Sequence, residues 1–168
     1  MTELSLVIRP ELPTDAAAID RLHERAFGPG RYARTAFRLR EGAPHLLDLS
    51  FTALVGTLLV GSARMSPIHA GATPALMLGP LTVDPAFESR GIGGALMRRC
   101  IETARAQGHA LVLLVGDEPY YSRFGFRRIP DRQLELPGPV NPERFLALDL
   151  DAGALERSQG TVIPRKVV

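Results

Sequence analysis

Tryptophan is absent, cysteine occurs once, and of the 20 basic side chains only Lys166 is a lysine. With Cys100 alone, neither an internal disulfide nor a cysteine-based zinc cluster can form, which fits a reducing compartment. The first ten residues show no basic region followed by an apolar core. No stretch reaches the roughly 18 uninterrupted apolar residues of a membrane span, so no membrane partner is expected and a cytoplasmic address is. An excess of one charge is missing too. The net charge of +2 falls short of the basic surplus that nonspecific nucleic-acid binding needs. The lysine shortage is a matter of composition and carries no functional weight.

What is present fits one soluble domain spanning residues 1–168, with 45% apolar and 23% charged residues. Leu4 to Ile8 reads as a strand, and Thr14 or Asp15 caps a helix bearing Ile19, Leu22, Ala26 and Phe27 on one side. His23 lies at the edge of that stripe as a core-edge histidine. Arg31 to Arg40 reads as a second short helix after Gly28-Pro29-Gly30. Leu46 to Val55 and Leu58 to Ile68, parted by Gly56-Thr57, read as a hairpin. A fourth strand, Ala75 to Val83, contains Gly79-Pro80, and a proline cannot donate to a sheet ladder, so a bulge or splay is expected there. A helix from Gly91 to Gln107 sets Ile92, Leu96, Met97, Cys100, Thr103 and Ala104 on one side, which makes Cys100 a packed thiol. Ala110 to Val115 is a fully apolar strand. A short helix then runs to Phe124, a sixth strand starts at Phe126, and Pro130 to Pro142 is irregular. Phe145 to Leu150 alternates as a strand, and Thr161 to Ile163 adds an edge.

The chemistry concentrates around Glu88-Ser-Arg-Gly-Ile-Gly-Gly94, where glycines bare the backbone at a helix start. Unpaired N–H groups and the positive end of the helix dipole there suit a pyrophosphate. Downstream stands Tyr120-Tyr-Ser-Arg-Phe-Gly-Phe126. This order, a strand ending in Val83-Asp-Pro85, a glycine loop, an apolar strand and Tyr-x-x-x-Gly-Phe, resembles the GNAT superfamily of acetyl-CoA-dependent N-acetyltransferases. Leu78 to Pro85 and Gly116 to Phe126 look most like a bacterial group of small predicted acetyltransferases.

The resemblance implies an α/β (α+β) fold with a mixed, mostly antiparallel sheet of six or seven strands, splayed at its centre and flanked by helices. It also implies acetyl-CoA as cosubstrate, no metal, and an amine acceptor on a small molecule or peptide, with a homodimer as an assembly it permits. Backbone groups of Ser89, Arg90, Gly91, Ile92, Gly93, Gly94 and Ala95 would hold the pyrophosphate, while Leu81, Thr82 and Val83 would pair with the pantetheine arm as a strand does. Tyr121, four residues before Gly125, would return the proton to the departing thiolate. Glu88 stands where the family carries glutamine or arginine. Arg31, Tyr32 and Arg34 are candidate acceptor contacts. The fourth strand carries no carboxylate, so the general base is open among His69, Asp84, Asp117, Glu118 and a water relay. That gap favours a noncatalytic acyl-CoA-binding module as the rival, whereas Tyr121 speaks for turnover. A Rossmann-like nucleotide domain is disfavoured by the hairpin region.

Overall fold

Nine strands form, rather than six or seven, in a computed structural model that describes residues 5–27 and 44–167. The Arg31 to Arg40 stretch, with the acceptor candidates Arg31, Tyr32 and Arg34, lies outside the described residues. The strands are β1 (Leu6–Pro10), β2 (Phe51–Val55), β3 (Leu58–Ala70), β4 (Thr73–Val83), β5 (Leu111–Val115), β6 (Arg127–Arg128), β7 (Leu134–Glu135), β8 (Phe145–Asp149) and β9 (Gly160–Pro164). They run in the order β1-β2-β3-β4-β5-β8-β6, with β9 lying against β3 and β7. All pairings are antiparallel except β4 with β5 and β7 with β9.

The hairpin turns at Gly56-Thr57 as expected, but its first strand begins at Phe51 because Leu47–Leu49 close a short 3-10 turn. The predicted loop from Pro130 to Pro142 contains β7, and the tail strand β9 is paired on both sides. Both owe their form to distant partners: Ile68 to Ala70 of β3 take Val162 to Pro164, and Leu134-Glu135 take Gly160-Thr161.

Helix α1 (Ala16–Phe27) packs on β3 and β4 from one face of the sheet, through Ile19 and Leu22 against Leu59. Helix α2 (Ile92–Ala106) covers the other face, so closely that a Cβ at Gly61 would lie 3.0 Å from Leu96 and 3.1 Å from Ile92. Its buried stripe is Ile92, Leu96, Met97, Cys100, Ile101 and Ala104. Ile101 replaces the expected Thr103, whose hydroxyl instead donates to Arg99 O at 2.7 Å. Burial pushes the Cys100 thiol up to about 12, so it is packed and inert. A second apolar cluster, with Ile68, Met77, Leu111, Leu113, Ile129 and Leu155, fills the sheet's far end under the C-terminal segments.

Two ion-pair groups fasten β1 and the α1 entry to the sheet. Neither Thr14 nor Asp15 caps α1 in the expected way, because a 3-10 turn (Pro13–Asp15) precedes it and the Asp15 carboxylate accepts the Leu12 N–H at 2.8 Å. Asp15 also accepts both guanidinium amines of Arg9, at 2.7 and 3.0 Å, and this bond chiefly holds its carboxyl below the ordinary value. Glu11, with a side chain 2% exposed, takes Arg64 Nε at 3.0 Å and a second guanidinium amine at 3.1 Å, and His45 Nε2 at 2.7 Å. Burial pushes the Glu11 carboxyl up, yet the bonds from His45 and Arg64 together hold it below its usual value.

Carboxyls with folded values below their unfolded ones contribute stability that is complete above the ordinary carboxylate range, about pH 4–5. That contribution is lost as pH falls through the lowered folded values. Acid titration of the Tm should therefore drop below about pH 4, and Glu11→Gln should lower the Tm at neutral pH while flattening the acid limb. An unchanged acid limb in the variant would show that Glu11 carries none of it.

Candidate active site

Strands β4 and β5 pair at only two positions, Leu76 with Val112 and Met77 with Leu113, and then separate. The cause lies in β4. Between the pairs Met65–Leu78 and Ala63–Leu81, β4 places two residues where β3 places one, Arg64, so Gly79-Pro80 forms a bulge. Gly79 has φ +144° with open space around its missing Cβ, so backbone conformation rather than crowding demands glycine there. Leu81 to Val83 rejoin β3 but have no strand beside them on the β5 side among the described residues.

Beyond β4, Asp84 accepts the Ala86 N–H at 2.9 Å and the Arg25 guanidinium at 3.0 Å, which ties the exit of β4 to α1. Ser89 (φ 64°) and Gly91 (φ 79°) then turn the chain into α2 in left-handed conformations. The first bond of α2 runs from Ala95 N–H to Gly91 O at 3.1 Å. Ala95, expected in the cradle, thus spends its N–H inside the helix, and the donors free of the helix are those of Ile92, Gly93 and Gly94. Space around the Cβ position of Gly91 is open. Glu88 is exposed beside this turn, and the Arg90 guanidinium sits 5.1 Å from the centre of the Phe87 ring.

The tyrosine pair stands on α3 (Glu118–Tyr121), which follows β5 directly. The Tyr121 ring lies on the backbone of Gly116, so that a Cβ there would collide with Tyr121 Cε2 and approach Cδ2 to 2.9 Å. Its other neighbours are Tyr120 at 4.9 Å and Phe126 at 6.1 Å between ring centres. Burial, with smaller contributions from Tyr120 and Asp117, pushes the Tyr121 phenol up to about 12, and Arg144 opposes the shift. Tyr120 turns the other way. A Cβ at Gly93 would meet the Tyr120 hydroxyl at 3.1 Å, Val83 Cγ2 at 3.7 Å and Leu81 Cδ2 at 4.0 Å. Tyr120, Gly93, Leu81 and Val83 therefore converge at the mouth of the opening. The motif assigns a role to Tyr121 alone, and two adjacent tyrosines carry no local sign of which one reaches the helix start.

The base candidates separate. His69 pairs with Pro74 and Ile163 at the opposite end of β4 from Val83, roughly 30 Å away along the strand, so it is removed from the site. Asp84 is committed to its turn and to Arg25, Asp117 pairs with Arg144, and Glu118 is exposed at the start of α3. His23 is buried on α1 with its ring 5.9 Å from Phe27, a core-edge position. Among the described residues no three His, Cys, Asp or Glu side chains group as a metal site, and no helix is long and apolar enough to cross a membrane.

Residues 16–126 match the model of the acetyltransferase (GNAT) family. The N-acetyltransferase YhbS of Escherichia coli K12, itself uncharacterized, is 30% identical over 159 residues, 94% of this chain and 95% of YhbS. The crystal structure of E. coli YhbS in complex with CoA superposes with a TM-score of 0.83 at 28% identity, covering 98% of this chain and 92% of that one. A GNAT family acetyltransferase from Brucella melitensis, solved with acetyl-CoA, gives a TM-score of 0.63 at 30% identity, covering 86% and 96%.

The seat of Tyr121 on Gly116 has a direct consequence. Gly116→Ala should displace the ring or the backbone and cost about 1–3 kcal/mol, read as a fall in Tm. An unchanged Tm would mean that the ring is not held there.

Proposed function

The chain belongs to the acetyltransferase (GNAT) family, and on that premise we propose that it moves an acetyl group from acetyl-CoA to a primary amine of a small molecule or peptide. The observation that carries this reading is the convergence of the β4 edge that has no partner strand among the described residues, the N-terminus of α2 and the tyrosine pair at one opening. In it, the N–H groups of Ile92, Gly93 and Gly94, with the turn at Ser89 to Gly91, hold the pyrophosphate of CoA. The edge of Leu81 to Val83 pairs with the pantetheine amides as a further strand would, and one of its N–H groups polarises the thioester carbonyl. The single cysteine, buried and unreactive, is compatible with work in a reducing cytoplasm.

Tyr121 faces the departing sulfur in this reading. At about 12 its phenol is a weaker acid than an unperturbed tyrosine, because burial disfavours the phenolate. It therefore gives the thiolate a hydrogen bond and passes the proton in step with C–S cleavage. The neutral amine nitrogen attacks the carbonyl carbon, the C–S bond breaks as the Tyr121 proton leaves with the sulfur as the thiol, and the proton that the nitrogen sheds passes to solvent, which restores the phenol.

The decisive experiment is a thiol-release screen over amino acids, polyamines, aminoglycosides and peptides, with acetylation read by mass. Tight CoA binding without release for any amine would favour the noncatalytic module. Gly93→Val puts methyls onto the Tyr120 hydroxyl and into the opening, and should weaken CoA binding at least tenfold by calorimetry. Unchanged affinity in the folded variant would remove the cradle. Tyr121→Phe should lower turnover by about 10²–10⁴-fold with little change in the KM for acetyl-CoA. Because the phenol acts protonated and titrates near 12, wild-type turnover should show no alkaline fall from this group below about pH 11. Retained turnover in Tyr121→Phe would transfer the acid's role elsewhere.

A further inference from the structure

Two adjacent tyrosines on α3 send their rings to different halves of the molecule, and the reaction above gives a task to only one of them. Tyr121 lies back on Gly116. Tyr120 crosses the rift, and its hydroxyl comes within 3.1 Å of the point where a side chain would leave Gly93, with Val83 Cγ2 and Leu81 Cδ2 at 3.7 and 4.0 Å from that point. The hydroxyl thus stands at the start of α2, on a residue whose N–H the helix does not use.

The Tyr120 ring is held in this pose. Tyr121 meets it edge-on at 4.9 Å between centres, Phe124 stands 5.6 Å away at 65°, and the Arg123 guanidinium sits 5.2 Å from its centre. A side chain fixed in this way has little rotamer freedom left to lose when a ligand binds. Its hydroxyl makes no hydrogen bond among the described residues, so a phenolic donor is left available where the rift opens.

Cations rather than carboxylates border the same place. Arg98 Nη1 lies 3.4 Å from the side-chain position of Gly94, and its guanidinium is 5.6 Å from the centre of the Phe124 ring. Neither Arg98 nor Arg123 pairs with a carboxylate among the described residues. Of the acidic residues nearest along the chain, Asp117 is paired with Arg144, while Glu88 and Glu118 are exposed. A pyrophosphate carries acceptor oxygens on all sides, and the N–H groups of one helix end serve only those that face it. The others need donors from a second wall.

We propose that Tyr120 is a CoA-binding residue of this chain: its hydroxyl donates to the pyrophosphate from the β5 half of the rift while Gly93 and Gly94 donate from the β4 half. The inference rests on that part of the reading above in which α2 holds the pyrophosphate of CoA. The ring contacts give it a consequence for the reaction. A phosphate that fixes Tyr120 also fixes its edge-on neighbour Tyr121, so the acid at the sulfur is placed by groups at the far end of the pantetheine arm. Phosphates that take no part in the chemistry thereby contribute to the reacting geometry.

Tyr120→Phe keeps the ring and removes only the hydroxyl, so its Tm should equal that of the wild type. Calorimetry should show CoA bound about 10- to 100-fold more weakly, the range for one hydrogen bond to a charged group. The probe 3′-phosphoadenosine 5′-diphosphate, which has the pyrophosphate and lacks the pantetheine arm, should weaken by the same factor. With an amine from the thiol-release screen, kcat/KM for acetyl-CoA should fall at least tenfold, and kcat/KM for acetyl-pantetheine, which has no phosphate, should stay at the wild-type value. Unchanged CoA affinity would overturn the proposal, as would an equal loss with acetyl-pantetheine, which would make the hydroxyl a brace or a contact of the arm. If the wild type binds CoA and acetylates no amine, the acetyl-transfer reading falls and the two binding measurements still decide this one. If it acetylates and Tyr120→Phe binds CoA as the wild type does, this one alone falls.

Discussion

The parting of β4 from β5 is the constraint on which the molecule is built. Two parallel pairs join the strands, and the bulge at Gly79-Pro80 then turns β4 away. A sheet interrupted at its centre survives because each half is firmly paired elsewhere. Strand β4 holds nine residue pairs with β3, and β5 holds five with β8. The rift is therefore confined to one side of the sheet. At its closed end Leu76, Met77, Val112 and Leu113 are buried. At its open end backbone groups of β4 face no strand among the described residues, an edge that suits another hydrogen-bonding partner.

The two covers of the sheet divide the labour around that rift. On the α2 side, Leu96, Met97 and Cys100 close over Ala63, Met65 and Leu78 without a polar side chain among them. That side supplies rigidity, and it fixes the axis along which α2 aims its first N–H groups. On the α1 side, ion pairs and hydroxyls are buried instead, at a cost that apolar packing on the opposite face offsets. Glu11 bonded to Arg64, and Asp84 bonded to Arg25, anchor that cover at both ends of the rift.

Legibility in the sequence followed the range of the interactions. The glycine turn into α2 and the spacing of Tyr121 to Gly125 are short-range patterns, and the structure brings their elements to one opening. Pro80 announced the bulge because its missing N–H is a local fact. Strands β7 and β9 were not legible in full, since two-residue and five-residue segments become strands only when distant chain pairs with them. The Glu11, His45 and Arg64 cluster spans 53 residues of sequence between its ends, so no motif reveals it. His69 looked available as a base only because a sequence does not say which end of a hairpin it occupies.

The tyrosine pair shows how the separated halves are rejoined. The cradle follows β4 and α3 follows β5, so nothing in the strand ladder fixes one against the other beyond Met77 and Leu113. Tyr121 seats on Gly116 and belongs to the β5 half. Tyr120, one residue earlier, reaches across with its hydroxyl to Gly93, Val83 and Leu81 of the β4 half. The edge-on contact of the two rings, 4.9 Å between centres at 85°, couples these positions. A molecule entering the rift must pass between groups whose spacing the pair sets. The rings thus bridge the two halves, and the position of the Tyr121 phenol depends on the contact that Tyr120 makes with the start of α2.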